Sequence, residues 1–175
     1  MGVGGIFVDG ANISRSLSAR AGEGKGRFLL DYGRLAEVLE RLFETKFLFR
    51  TYYTAHRDEE SLKRREPFYE HLRRGGWTVF DHPAKFVVNS DHPEGLWIDK
   101  GIDLAIGLDA YRIVLEKQVS VLVVATHDED FVQLFKRLPT SVAGAVVGWK
   151  GRIAMAFEGI ARRIYLDDLD VLTRR

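Results

Sequence analysis

The most apolar run of the chain extends from Val119 to Ala125 and ends abruptly at the polar Thr126. A strand with apolar side chains on both faces is typical of the centre of a parallel sheet that is covered by helices on each side. Parallel neighbours require crossover connections, which are usually helices. This run therefore predicts an α/β protein.

Strand and helix patterns alternate along the rest of the chain. Predicted strands are Ile6–Val8, Lys46–Thr54, Trp77–Phe80, Val119–Ala125 and Val142–Val147. Predicted helices span about 32–44 behind an Asp31 N-cap, Ser61 to Gly75, a segment from Ile102, a segment from Asp128, and Ile153–Ile160. This order predicts one domain, residues 1–175, built as a three-layer α/β/α sandwich with a mostly parallel sheet.

Two segments break the alternation. Residues 14–27 have glycines at 22, 24 and 26 and no apolar period, so we interpret them as a loop with one helical turn at most. Residues 81–99 contain two short apolar runs between polar turn residues, which indicates an inserted hairpin or a long ordered loop.

Composition narrows the functional classes. The chain has no cysteine, which excludes disulfides, thiolate nucleophiles and cysteine-based zinc sites and fits a reducing compartment. No apolar run approaches the roughly 20 residues that cross a bilayer, and the N-terminus lacks a signal peptide's basic region. We expect a cytoplasmic protein without a membrane partner. A formal net charge of +1 leaves a homo-oligomer open and gives no global attraction to nucleic acid.

Acidic residues follow two of the predicted strands. Asp9 and Asn12 follow the first, Asp128 and Asp130 follow the fourth, and Asp103 begins the helix before the fourth. Ligands of open parallel sheets bind beyond the carboxyl ends of strands, where the strand order reverses. If these two strands are neighbours there, the acids converge. Crowded carboxylates repel one another unless a hard cation such as Mg²⁺ or Mn²⁺ binds them, and such a site suits phosphodiester hydrolysis.

A structural role competes with this interpretation. Thr126 and Glu129 have the spacing of a capping box, so Asp128 and Asp130 would then belong to a helix start. Asp9 has no obvious helix to cap, because no helical pattern begins for several residues after it.

The motifs Phe7-Val-Asp9-Gly-Ala-Asn12, Lys100-Gly-Ile-Asp103 and Val121-Leu-Val-Val-Ala-Thr-His-Asp128-Glu-Asp130-Phe131 together resemble those of the NYN family, in its LabA-like or DUF88 branch of the PIN-like nucleases. The resemblance runs from about residue 5 to 170. It implies a Rossmann-like PIN/NYN fold with the first and fourth strands adjacent. It also implies a hydrolase, a metal-dependent ribonuclease.

Transferred motif by motif, the resemblance implies Mg²⁺ or Mn²⁺ ligands and gives catalytic roles to six residues. The implied metal ligands are Asp9, Asp103, Asp128 and Asp130, with Asn12 and Thr126 orienting them or the scissile phosphate. Asp109 matches a further family acid, but it lies about 240° around the helix from Asp103 and is expected to face elsewhere. His127 replaces the family's glycine, and either a surface position or a contact to substrate or metal is open.

Four residues are candidates for binding RNA, which we expect to be single-stranded. Lys100 lies beside Asp103, while Arg64 and Arg65 belong to a basic stretch of the second helix that could contact phosphates or simply face solvent. Trp97 could stack on a base or anchor the inserted hairpin.

We therefore predict an endoribonuclease, with a non-catalytic RNA- or protein-binding regulatory module on the same fold as the alternative. A nucleotide-binding or phospho-acceptor domain lacks its expected signals. No glycine-rich phosphate loop follows the first strand, and only Asp9 stands at that strand's end.

Overall fold

The structure is a computed structural model, and it describes residues 2–21, 28–117 and 119–174. The strands are β1 (Gly2–Asp9), β2 (Phe28–Leu30), β3 (Thr45–His56), β4 (Thr78–Pro83), β5 (Lys85–Val87), β6 (Leu96–Ile98), β7 (Val121–Ala125), β8 (Ala143–Gly148), β9 (Arg162–Tyr165) and β10 (Leu172–Arg174). The helices are α1 (Gly10–Ala21), α2 (Tyr32–Phe43), α3 (Glu59–Arg74), α4 (Ile102–Lys117) and α5 (Val132–Phe135).

Six strands form the central sheet in the order β4-β3-β1-β7-β8-β9, and every neighbouring pair is parallel. The strand order reverses between β1 and β7, which are hydrogen-bonded with Val8 opposite Ala125. The prediction that these two strands are neighbours is confirmed. Their carboxyl ends therefore meet at the switch point of the sheet.

The sheet has a hydrophobic core on each face. Ile6 and Val8 of β1 pack with residues of α1, α2 and α3, whereas Phe7 packs with residues of α4 and α5. All five residues of β7 are buried, and they alternate between the two cores in the same way. The predicted three-layer α/β/α architecture is confirmed.

The predicted loop at 14–27 was wrong in its first part, because α1 continues through Ala21; residues 22–27 lie outside the described residues. Ile13 is fully buried and Leu17 packs against the same core. These two apolar residues pack α1 against the sheet. They are too few to give the helical hydrophobic period by which a helix is recognised in a sequence. The Asp31 N-cap of α2 is confirmed by a 2.9 Å hydrogen bond from the Arg34 N–H.

The predicted helix at Ile153–Ile160 was also wrong. This segment forms a single 3-10 turn at Met155–Phe157. Gly151 and Gly159 both have φ of 73°, a left-handed conformation that interrupts a helix on either side of the turn. Strand β9 at the sheet edge and the antiparallel β2–β10 pair had no recognisable strand pattern and were not predicted.

Between β4 and α4 the chain forms a small antiparallel hairpin. β5 pairs with β6, and Phe86 lies opposite Trp97. Their rings are 5.1 Å apart between centroids. No helix in the described part of the chain is long and apolar enough to cross a membrane.

Candidate functional site

Asp9 is the last residue of β1 and caps the helix that follows it. Its Oδ1 accepts a hydrogen bond from the Asn12 N–H at 3.0 Å, and α1 begins at the very next residue, Gly10. The expectation that Asp9 had no helix to cap was therefore wrong. A Cβ at Gly10 would stand 2.1 Å from the Tyr52 ring, so only glycine fits this tight turn from strand to helix.

Asn12 connects the end of β1 to the end of β7. Its Oδ1 accepts a hydrogen bond from the His127 N–H at 3.1 Å. Thr126 precedes this link and is completely buried, and its Oγ1 accepts from the Asp128 N–H at 3.1 Å. These two polar side chains fix the backbone from which Asp128 projects.

Asp128 caps the short 3-10 turn Glu129–Phe131 by accepting from the Asp130 N–H at 2.9 Å. The cap is therefore Asp128 rather than Thr126, which the capping-box interpretation favoured. Capping occupies one carboxylate oxygen, Oδ1. Among the described residues no hydrogen bond engages Oδ2 of Asp128 or either oxygen of Asp130, so capping does not exclude these acids from ligand binding.

Asp103 lies in the first turn of α4, where the charges of Asp128 and Asp130 act on it. The turn before α4 contains Gly101, whose φ is 92°. Residues that carry a side chain rarely adopt this backbone conformation. The glycine of the Lys100-Gly-Ile-Asp103 motif is thus explained by backbone geometry.

The four acids affect one another electrostatically. The pKa of Asp9 is raised from 3.8 to about 6. Burial is the largest cause, and the charges of Asp103 and Asp128 add to it, while the Asn12 N–H and Arg15 act in the opposite direction. Burial also raises the pKa of Asp103, with added contributions from Asp128 and Asp130. Carboxylates from three separate elements, β1, α4 and the segment after β7, therefore share one edge of the sheet.

The sequence model of the NYN domain matches residues 4–151, which include all three motifs. The chain belongs to the NYN family. This family lies within the PIN-like nuclease superfamily, so its members are nuclease-type proteins. A protein of unknown function from Vibrio parahaemolyticus RIMD 2210633 has a similar crystal structure, with a TM-score of 0.71 and 20% sequence identity. The similarity covers 98% of this chain and 96% of that one, and it supports the fold. No functionally curated protein matches the chain.

The acids of this NYN domain have the donor chemistry of a hard-cation site, since all four present carboxylate oxygens. Within the described ranges, no three Asp, Glu or His side chains already stand close enough to hold one ion together. Mg²⁺ is commonly held by one or two carboxylates, with water and substrate phosphate completing the shell. The donor set fits that mode.

His127, which stands where NYN proteins usually have glycine, has a structural contact for each ring nitrogen. Its Nε2 accepts from the Trp149 N–H at 3.0 Å, and its Nδ1 lies 3.3 Å from Ser16 Oγ. Since Nε2 is an acceptor, the neutral ring carries its proton on Nδ1. A Cβ at Gly148 would stand 2.8 Å from the ring, so that glycine makes room for the histidine.

Asp109, the further NYN acid, is engaged by two neighbouring side chains. It accepts from the Tyr53 hydroxyl at 2.8 Å and from Arg112 at 3.2 Å. Burial and then Asp109 raise the pKa of Tyr53 well above its usual value, which keeps the hydroxyl a donor.

The predicted substrate residues of the NYN domain occupy different surroundings. Arg65 and Trp97 line a common pocket beside the site, together with Arg15, which was not among the predicted site residues. A signal was present, because Arg15 follows Asn12 by three residues and so shares its side of α1. Lys100 is exposed in the turn before α4, and Arg64 is exposed on α3, 3.9 Å from Glu60. Neither lines that pocket, and RNA binding by them stays a prediction.

Proposed function

We propose that this NYN domain is a Mg²⁺- or Mn²⁺-dependent endoribonuclease. The observation that supports this most directly is the raised pKa of Asp9, a carboxyl that is 5% exposed and lies near enough to Asp103 and Asp128 for their charges to act on it. A buried ionised carboxylate in this position destabilises the fold. If Asp9 only capped the helix, a neutral asparagine or serine would cap it equally well without that cost. A cation would offset the penalty.

In this proposal Asp9, Asp103, Asp128 and Asp130 hold the cation, some of them through water. Asp9 offers Oδ2, because Oδ1 accepts from the Asn12 N–H and no hydrogen bond to the described residues engages the other oxygen. A divalent ion bound there would lower the pKa of a water and neutralise charge on the scissile phosphate. Asn12 and Thr126 act by fixing the backbone at the ends of β1 and β7.

RNA would approach across the edge where α1, α3 and the β5–β6 hairpin meet. Arg65 and Trp97 stand there, and Lys100 lies between the hairpin and Asp103. Guanidinium and ammonium groups give affinity for phosphate without sequence preference, and an indole can stack on any unpaired base. Single-stranded RNA suits this combination, and Arg64 would add only long-range attraction from the outer face of α3.

A non-catalytic RNA- or protein-binding module is the second candidate. It is favoured by the capping roles of Asp9 and Asp128 and by the lack, in the described ranges, of three ligands already gathered for one ion. In that case the acids would stabilise helix starts, and RNA would bind without being cut.

The deciding experiment measures cleavage of a single-stranded RNA by the purified protein in Mn²⁺, in Mg²⁺ and in EDTA. Asp103→Asn removes one acid of the site, and Glu116→Gln removes a matched exposed charge at the far end of the same helix. We expect metal-dependent cleavage that Asp103→Asn abolishes and Glu116→Gln leaves intact. Binding without cleavage under every metal condition would establish the second candidate.

A further inference from the structure

A pocket of about 460 Å³ adjoins the acidic edge and has a different chemistry. The first turns of α1, the end of β3, the helix α3 and the β6 strand of the hairpin form its walls. We name it the arginine pocket, and its characteristic lining residues are Arg15, Arg57, Arg65, Thr54, Trp97 and Asp99.

The arginine pocket has more positive than negative charge. Three guanidinium groups line it against one carboxylate, Asp99, whose Oδ2 is 3.8 Å from Arg15. Within the described ranges, neither Arg57 nor Arg65 forms an ion pair. Asp81 influences Arg65 from further away and contacts His56 Nδ1 at 3.2 Å. The pocket thus has about two positive charges that no direct carboxylate partner neutralises.

Arg65 is held in place by neutral acceptors. Its Nη1 donates to the Ala55 carbonyl at 2.8 Å and lies 3.3 Å from Thr54 Oγ1. These bonds fix the guanidinium against the end of β3 without cancelling its charge. A planar donor group that is already oriented loses little entropy on binding, and this arrangement suits phosphate oxygens.

The size of the arginine pocket suits a small ligand such as one nucleotide. Its volume is in the range of small-ligand sites, and elements stand on four sides of it. Trp97 lies on one wall, where Phe86 supports its ring from the hairpin side. A nucleotide could place its base by Trp97 and its phosphate by Arg57 and Arg65.

The pocket is continuous with the acidic edge. Gly10, which lines it, follows Asp9 directly, and Arg15, which also lines it, stands 3.8 Å from Asp99, four residues before Asp103. We propose that the arginine pocket binds the terminal phosphate of a single-stranded RNA and so holds the end of the chain beside the acids. A phosphomonoester carries close to two negative charges at neutral pH, against one for an internal phosphodiester, and matches the excess charge of the pocket. This inference rests on the proposed function in taking RNA as the ligand.

The test is a binding measurement in EDTA at fixed salt, where no metal-dependent cleavage interferes. Calorimetry compares four pentanucleotides of one sequence that carry a 5′-phosphate, a 3′-phosphate, hydroxyls at both ends, or a 5′-phosphate blocked as its methyl ester. We expect one phosphorylated end to tighten binding by about tenfold or more over the hydroxyl form, since a single charged hydrogen bond has about this effect. The methyl ester distinguishes a dianionic end from an internal diester and should lose most of the gain if the 5′-end is bound.

Arg65→Gln and Arg57→Gln should each remove most of that gain. Arg65→Gln also removes the hydrogen bonds of Arg65 to β3. Arg57→Gln avoids this complication, because the Arg57 side chain forms no hydrogen bond or ion pair with the described residues. Arg74→Gln is the matched control, because it lies on the same helix about 13 Å along the axis and lines another pocket. It should keep the full preference for the phosphorylated end.

Equal binding of all four oligonucleotides would overturn the proposal, as would a preference that survives in both Arg57→Gln and Arg65→Gln. The pocket proposal and the nuclease proposal can fail independently. A protein that cuts RNA in Mn²⁺ but ignores terminal phosphate refutes only the pocket. A protein that prefers a phosphorylated end but never cuts refutes only the nuclease.

Discussion

The side chain of Asn12 accepts a hydrogen bond from the backbone N–H of His127 at 3.1 Å, although the two residues are 115 positions apart in the chain. This bond connects the segment that carries Asp9 to the one that carries Asp128 and Asp130. The relative position of the acids therefore depends on a neutral amide that lies between them.

Replacing Asn12 with alanine should leave the half-buried His127 N–H without this acceptor. We expect a loss of about 1–3 kcal/mol in the free energy of unfolding, the usual cost of such a group. Denaturant unfolding measures the loss, and amide hydrogen exchange locates it. Exchange should quicken at His127 and stay slow at Val124 in the middle of β7. Unchanged exchange at His127 would show that the bond contributes nothing to order at the site.

Asp9→Asn should stabilise the metal-free protein at neutral pH. The pKa of Asp9 is raised in the folded state, so the native protein binds more protons than the unfolded chain between about pH 4 and 6, and stability falls as pH rises through this window. At pH 7.5 the penalty is about 3 kcal/mol, from a shift of about two pH units. Asparagine retains the oxygen that caps α1 while it removes the charge.

Melting curves of wild type and Asp9→Asn in EDTA test this prediction at two pH values. The variant should melt higher at pH 7.5 and should equal wild type below about pH 4, where Asp9 is protonated in both states. Glu116→Gln controls for the loss of one exposed charge. A variant that melts lower than wild type at pH 7.5 would contradict the raised pKa.

Two substitutions at Asp128 separate its capping role from its charge. Asp128→Asn keeps an oxygen for the Asp130 N–H, whereas Asp128→Ala removes both the oxygen and the charge. In EDTA we expect alanine to be less stable than asparagine by about 0.5–2 kcal/mol. Both variants should lose most of the Mn²⁺-induced rise in melting temperature. An intact metal response in both would remove Asp128 from the proposed site.

His127→Ala should lower stability without removing the response to metal. Trp149 is 1% exposed, and its N–H loses the acceptor Nε2, so we expect a cost of about 1–3 kcal/mol. Thermal unfolding with and without Mn²⁺ measures both properties in one experiment. The opposite pattern, unchanged stability with a lost metal response, would make His127 a metal ligand instead.

The amino-acid sequence by itself determined the class of fold and the order of its main elements. The uninterrupted apolar run before Thr126 is a local property, and a central parallel strand is the structure that buries both of its faces. The positions of Asp9, Asp103 and Asp128 at element ends could also be predicted, because motif spacing and strand boundaries are local too. Where the period was weak, as in Ser14–Ala21, or was mimicked by buried residues between two left-handed glycines, as in Ile153–Ile160, the prediction failed.

Only the tertiary structure decided how these ends are joined. Asp9 caps a helix because Ile13 and Leu17 pack into a core that other strands form. The local sequence around these two residues does not reveal that contact. The bond from His127 to Asn12 and the grouping of Arg15, Arg57 and Arg65 around one pocket depend on strand order and on contacts between distant segments. A single sequence specifies each of these side chains, but their distances follow from how β1, β3 and β7 lie beside one another in the sheet.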